Sequence, residues 1–374
     1  MFLPVILCDL DAAFLGFELL RRPELAHRPV IVGGTVERRG VVATASYEAR
    51  AFGVTSGMST AEALSRCKGA ILVPVDIPYY RTMSERFRSV VTRGIAIWEP
   101  VALDEVYLDL GGQRSAFPDT LALARSLQRT VQEELGLSCS VGCASGRHLA
   151  KMACEHRGKP GGIGVITAEE APAFIAPLPV GALPGVGPGT VKTLERYGVR
   201  TCRDLAELSE TTARRCLGQR GTLLRQLASG IDPSRPQPPG PARSMSVEET
   251  FPKDLSTPAE VHSALVRLSW ELGSRLGSLG CSPREVAVRW RTADFRDHSR
   301  QHTLPYALQT RIDLRKAVLS LWSEAAVHRP IRLLGISAGR LESSTTPLLP
   351  DAHLEQTIRE LEANGADLRP ASLL

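Results

Sequence analysis

The apolar stretch VILCDLDAAFLGFELL (residues 5–20) holds two carboxylates, Asp9 and Asp11, one residue apart. An ionised carboxylate in such surroundings carries a large desolvation cost unless something neutralises it. A second acidic pair, Asp104 and Glu105, lies inside EPVALDEVYLDL (99–110), again among apolar residues. Hard oxygen ligands of this kind suit Mg²⁺, which leaves some coordination positions to water and substrate phosphates. Should Asp9, Asp104 and Glu105 converge at a sheet edge, they can hold two Mg²⁺ ions. Two such ions clamp the attacking and leaving oxygens of an in-line phosphoryl transfer. The plain alternative is that Asp9 and Asp11 end a strand and cap the next helix, while Asp104 and Glu105 mark a turn. Asp11 in particular stands where a helix N-cap is expected and reads as structural.

Positioning these residues requires a strand over 4–9 and a short helix over 12–20. PVIVGG (29–34) reads as another strand, and GVVATASYEARAFGV turns helical near Tyr47. MSTAEALSRC (58–67) is a short helix that Ser59 or Thr60 can cap. A helix over 78–96 precedes a strand pair or bent strand over 101–110. A helix (119–134), the strand LSCSVGCA (137–144) and a helix over 146–156 follow, an alternation that implies a mixed sheet covered by helices. Residues 179–230 read as helical and broken by glycines. DPSRPQPPGPAR (232–243) is a linker, because its prolines cannot continue a helix or an inner strand. Beyond it the order is β-α-β-β-α-β: 246–251, 257–278, 285–292, 299–304, 310–326 and 331–341. In EVAVRWR, Val286, Val288 and Trp290 face one way while Arg289 and Arg291 face the other. A last short helix is expected over 352–365.

The chain has 374 residues, enough for several domains. Its apolar start lacks the basic flank of a signal peptide, and no run approaches the length of a membrane span. The expectation is a cytoplasmic protein. Eight cysteines are scattered without zinc spacing, which points to reduced, mostly buried thiols. Net charge is a mild +5, yet residues 243–342 carry 15 Lys and Arg against 11 Asp and Glu. Most of the basic residues are Arg, which suits bidentate recognition of phosphate.

Four segments in order, LCDLDAAF (7–14), ATASYEARAFGVTSGM (43–58), EPVALDEVYLDL (99–110) and AKMACEHRGKPGG (150–162), resemble the Y-family of translesion DNA polymerases. The likeness is greatest to its bacterial DNA polymerase IV group and spans roughly residues 4–342. It implies an α+β multidomain, right-hand-like polymerase. A mixed-sheet palm would occupy 1–10 and 77–166, small fingers 11–76, and a helical thumb with a helix-hairpin-helix 167–231. A linker (232–242), a βαββαβ little finger (243–342) and a tail (343–374) with a short helix would complete it.

By the same resemblance Asp9, Asp104 and Glu105 bind two Mg²⁺ ions, with the Leu10 carbonyl completing one shell and Glu105 nearest the primer 3′-hydroxyl. Phe14 matches the steric gate that excludes a ribose 2′-hydroxyl; read alone it is a core aromatic. Thr44, Tyr47, Arg50 and Lys159 match the triphosphate-binding set, Tyr47 and Arg50 projecting from one helix face. LPGVGPGTVKTLERYGV (183–199) resembles a helix-hairpin-helix whose Gly185, Gly187 and Gly189 let backbone N–H groups approach a DNA phosphate. Arg289, Arg291, Arg332 and Arg340 are candidate backbone contacts of the little finger, which would fix register without reading sequence. The implied partners are primer-template DNA and dNTPs, with translesion synthesis and no proofreading, in a nucleoid-associated protein.

The sequence departs from the family pattern in places. Ala102 replaces a usual Ser, Ser46 a common Asn, and Val41 a smaller residue. ESSTTPLLPDAHLEQ is a poor match to the Gln-Leu-rich segment that docks on a sliding clamp, so clamp binding is in doubt. A catalytically inactive DNA-binding adaptor is the alternative reading. Retention of the three carboxylates, Arg50 and Lys159 weighs against it.

Overall fold

The computed structural model describes residues 1–343 apart from 326 and 328, so the expected helix over 352–365 lies outside the described residues. In chain order the first elements are β1 (Val5–Leu10), α1 (Ala13–Arg21), β2 (Val30–Gly33), β3 (Val42–Ala45), α2 (Tyr47–Arg50), α3 (Thr60–Arg66) and β4 (Ile71–Pro74). There follow α4 (Ile77–Val91), β5 (Ile97–Pro100), β6 (Glu105–Asp109), α5 (Thr120–Leu135), β7 (Cys139–Ala144), α6 (Arg147–Ala153) and β8 (Ile163–Ile166). Five short helices come next: α7 (Ala171–Ile175), α8 (Pro188–Glu195), α9 (Cys202–Glu207), α10 (Glu210–Leu217) and α11 (Arg220–Ala228). The chain then forms β9 (Ser244–Leu255), α12 (Pro258–Ser278), β10 (Cys281–Thr292), β11 (Asp297–Thr303), α13 (Arg311–Ser323) and β12 (Ile331–Ser343).

Among the described residues three sheets form, ordered β5-β6-β1-β7-β8, β3-β2-β4 and β11-β10-β12-β9. The chain divides into two compact units. One comprises residues 1–32, 44–52 and 75–239; the other comprises 33–43, 53–74 and the part from residue 240.

In the first unit β1 is the middle strand, antiparallel to both β6 and β7. Every one of its six residues is buried, which explains its continuous apolar reading. Close packing of α6 on this sheet depends on two glycines. A Cβ at Gly142 would overlap the Ala150 carbonyl, and one at Gly164 the Ala153 carbonyl. Leu149, Met152 and Ile166 of this layer join Leu194, Leu205 and Leu224 in one core. In the second unit the β-α-β-β-α-β order stands as expected, around Leu268, Leu272, Val288, Val318 and Leu334. Thr257 and Glu260 form a capping box that starts α12, with Pro258 in its first turn.

Several expectations need correction. The hairpin centres earlier than 101–110, pairing Ile97–Pro100 with Glu105–Asp109 around the turn that carries Asp104. The helix over 78–96 ends at Val91. The helix over 146–156 stops at Ala153 and widens into a π-type turn, Cys154–Gly158. Strands β4 and β8, four residues each, were not anticipated. Among the described residues no helix is long and apolar enough to cross a membrane.

Candidate active site

The site grows from the end of β1. Asp9, only 2% exposed, is the register partner of Glu105 on β6, although the two are far apart in the chain. The Leu10 N–H donates to the Asp104 carbonyl at 3.0 Å, which ties the β5–β6 turn to the same place. The three acidic residues expected to act together are thus gathered at one end of two neighbouring strands.

What faces them is a pair of ammonium groups. Lys159 Nζ lies 2.9 Å from Asp9 Oδ1. Lys151 Nζ lies 3.2 Å from Asp9 Oδ2, pairs closely with Glu105, and lies 3.3 Å from Glu155. Lys151 carried no expectation, yet α6 is held so tightly on the sheet that its side chain reaches both strands. Burial works against the Lys159 charge, but Asp9 prevails and holds its pKa above the ordinary lysine value. The Asp104 carboxyl is pushed up, first by burial and then by the Asp9 charge, as befits a cluster rich in negative groups. Among the described residues no three His, Cys, Asp or Glu side chains are set to hold one metal ion.

Asp11 is not the cap of α1. That position belongs to Ala12, which makes no side-chain capping bond. The Asp11 carboxylate instead accepts from Ser138 Oγ at 2.6 Å, Ser140 Oγ at 2.7 Å and the Gly161 N–H at 3.0 Å. It is structural, as read, but it braces β7 and the turn after Lys159 rather than a helix end.

Phe14 is half-buried on α1, its ring stacked on that of Tyr80 with centroids 4.6 Å apart and planes 25° apart. Thr44 is buried on β3, while Tyr47 and Arg50 are exposed on α2. The Arg50 guanidinium lies 5.0 Å from the Tyr47 ring centroid and donates to the Ala45 carbonyl at 2.9 Å. Ser46, in place of the commoner Asn, caps α2 through Ala49 N–H at 3.2 Å and accepts from Val30 N–H at 3.0 Å. An open cavity of about 570 Å³ is lined by Asp11, Tyr47, Ser138, Pro160 and Gly161, which places α2 beside the segment that carries Lys159.

A smaller cavity, about 330 Å³, is lined by Glu105, Tyr107, Lys151, Gly185, Arg220 and Leu223, among others. It sets the glycine hairpin before α8 next to the acidic pair. Gly185 has φ +85°, a conformation that favours glycine, and its carbonyl accepts from Arg220 Nη2 at 2.8 Å. Gly187 caps α8, and Gly189 lies in its first turn.

On the C-terminal sheet the alternation along β10 holds: Val286, Val288 and Trp290 are buried, and Arg289 is exposed. The four candidate arginines already have partners. Arg289 lies 3.4 Å from both Glu248 and Asp297, and Arg291 makes two 2.9 Å bonds to Asp297. Arg332 stacks 4.5 Å from the Phe295 ring centroid, and Arg340 lies 3.5 Å from Glu285.

Comparison with known proteins agrees with this arrangement. Residues 8–155 match the impB/mucB/samB family and residues 242–349 its C-terminal domain. DNA polymerase IV of Methanoculleus marisnigri is 37% identical over 347 residues, covering 91% of this chain and 95% of that one. DNA polymerase IV of Corynebacterium diphtheriae is 40% identical over 351 residues, covering 92% of this chain and 77% of that one. A solved Y-family DNA polymerase chimera, Dbh-Dpo4-Dbh, superposes with a TM-score of 0.82 at 25% identity, covering 90% of this chain and 98% of that one. The insertion ternary complex of Dbh DNA polymerase shares the fold, with a TM-score of 0.63 at 24% identity over 90% of this chain and 98% of that one. The chain therefore belongs to the impB/mucB/samB family, the Y-family DNA polymerases, in its DNA polymerase IV-like group.

Proposed function

We propose that this chain is a template-directed, low-fidelity DNA polymerase of the translesion type, which adds deoxynucleotides to a primer 3′-hydroxyl. The observation that carries the reading is the pairing of Asp9 with Glu105 across neighbouring strands, with Asp104 in the adjoining turn. The donor set suits a divalent metal. Three carboxylates and the Leu10 carbonyl are all hard oxygens, and the charges now compensating them sit on flexible lysine stems. Asp9, Asp104, Glu105 and the Leu10 carbonyl would hold two Mg²⁺ ions. Bound there, such ions supply acidification of the primer hydroxyl and neutralisation of charge on the transferred phosphoryl group.

The protein's own groups do the positioning. Arg50 offers a guanidinium fork, Tyr47 and Thr44 offer hydroxyls, and Lys159 a point charge to the triphosphate. Phe14 forms the floor beneath the sugar and leaves no room for a 2′-hydroxyl. Gly185, Gly187 and Gly189 open the hairpin backbone to a DNA phosphate, and Arg289, Arg291, Arg332 and Arg340 exchange surface partners for phosphates. Holding the reactants in line supplies most of the rate, since phosphoryl transfer asks little covalent chemistry of the protein.

Primer extension by Asp104→Ala and Glu105→Ala proteins tests this. Each should lose about two orders of magnitude or more in rate, the equivalent of several kcal/mol of transition-state stabilisation, while DNA binding survives. Normal extension by either variant would remove the metal assignment.

A further inference from the structure

Glu18 is fully buried, and nothing in the phosphoryl-transfer reading uses it. A buried carboxylate is costly even when paired, and an apolar residue of similar size often packs an interior joint as well or better. Its partners show what the charge does. Arg21 donates to it through Nη2 at 2.6 Å and Nε at 3.1 Å, and Arg22 Nε lies 3.8 Å away. The remaining donor comes from another helix: Tyr80 Oη on α4, 2.7 Å from Glu18 Oε1.

Glu18 and Phe14 stand four residues apart on α1 and so share one face. Tyr80 spans both. Its ring stacks on Phe14 and its hydroxyl ends on Glu18. Phe17 closes the group, with centroids 6.5 Å from Phe14 and 5.7 Å from Tyr80. The joint is latched from behind as well. Tyr79 Oη donates to the Phe17 carbonyl at 3.0 Å, and Arg21 Nη1 reaches Asp76, the cap of α4, at 2.9 Å. Ring stacking alone tolerates sliding and tilting, whereas a hydrogen bond to a buried charge fixes one position.

We propose that Glu18 is a positioning residue for the sugar gate. Through the Tyr80 hydroxyl it fixes the ring on which Phe14 rests, and so sets the clearance beneath the sugar of the incoming nucleotide. The inference rests on the reading of Phe14 given above.

Single-nucleotide insertion kinetics on the full-length protein, comparing a deoxynucleotide with its ribonucleotide, test it. Tyr80→Phe removes only the donor, Glu18→Leu the acceptor, and Glu18→Gln retains an acceptor of the same shape. The ratio of kcat/KM for deoxy- over ribonucleotide should fall about tenfold in Tyr80→Phe and Glu18→Leu, through a lower ribonucleotide KM, and stay within about threefold in Glu18→Gln. A merely structural role would weaken both nucleotides together and leave the ratio unchanged in Tyr80→Phe, which would overturn the proposal even if Glu18→Leu fails to fold. Phe14→Leu separates the two layers. A collapsed ratio there beside an unchanged one in Tyr80→Phe sinks the Glu18 role alone. An unchanged ratio in Phe14→Leu sinks the gate and the Glu18 role with it.

Discussion

A carboxylate as deeply buried as Asp9 is tolerated because Lys151 and Lys159 face it from two sides. Lys151 therefore neutralises the charge that, on the function proposed above, a divalent ion would share. In Lys151→Met the metal-free chain should lose about 1–3 kcal/mol of stability, the cost of stripping a partner from enclosed charged groups. Mg²⁺ should then raise its Tm by more than it raises the parent's, a comparison that thermal melts with and without the ion provide. An equal gain in both proteins would deny Lys151 that part. Asp11→Ala should cost about 1–3 kcal/mol in chemical denaturation, since Ser138, Ser140 and Gly161 lose their acceptor together. That Asp9, Asp104 and Glu105 meet was legible from the family resemblance, since their types and apolar setting alone left a strand end and a turn as an equal reading. Lys151 was not, because its partners lie 142 and 46 positions away and a lone lysine on a helix usually faces water. Glu18 was hidden for a similar reason: only the fold brings Tyr80 to it.

Among the elements, α6 is the one on which the site leans, and its start is held by the linker. Asp232 accepts from the Leu149 N–H at 2.9 Å and lies 3.3 Å from His148 Nδ1, while Ser234 takes up Arg147 N–H at 3.2 Å. Burial would raise the Asp232 carboxyl, but His148, Ser234 and the Leu149 amide outweigh it and hold its pKa below the usual value. A depressed folded-state pKa contributes stability above the unfolded value of about 3.9, and that contribution is lost as pH falls through the folded pKa. Asp232→Asn should thus lower stability by about 1–3 kcal/mol at neutral pH and flatten the acid end of a stability–pH curve. An unaltered curve would show that the clamp is idle.

Elements with a strong period were readable. α12 declares itself by Thr257, Pro258 and Glu260 and by Leu265, Leu268 and Leu272 at helical spacing. β8 and β4 were not, since four residues carry too little pattern to separate a strand from a loop. The hairpin slipped because Ile97 and Trp98 continue the apolar spacing of α4, and only tertiary pairing with β6 claims them for the sheet. Nor could periodicity show that the helix begun at Arg147 widens after Ala153.

For the molecule as a whole, the arginine-bearing sheet is a charged surface already in balance with its own acids. Exposed pairs of this kind are weak and screened by salt, so phosphates can replace them at little cost. Joint replacement of Arg289 and Arg291 by alanine should weaken DNA binding and reduce the slope of log K against log salt by about two. Asp297→Asn, which frees Arg291 and leaves Arg289 with Glu248 alone, should tighten binding at low salt. Filter or anisotropy titrations across salt concentrations read both, and an unchanged slope would move the DNA contact elsewhere. β1 has one more consequence at this scale. As the middle strand, its amides meet solvent only when the sheet parts, so they should be among the last to exchange deuterium. Warming should therefore extinguish nucleotide addition and the exchange protection of the β1 amides along one curve, whatever the four-stranded sheet of the other unit does.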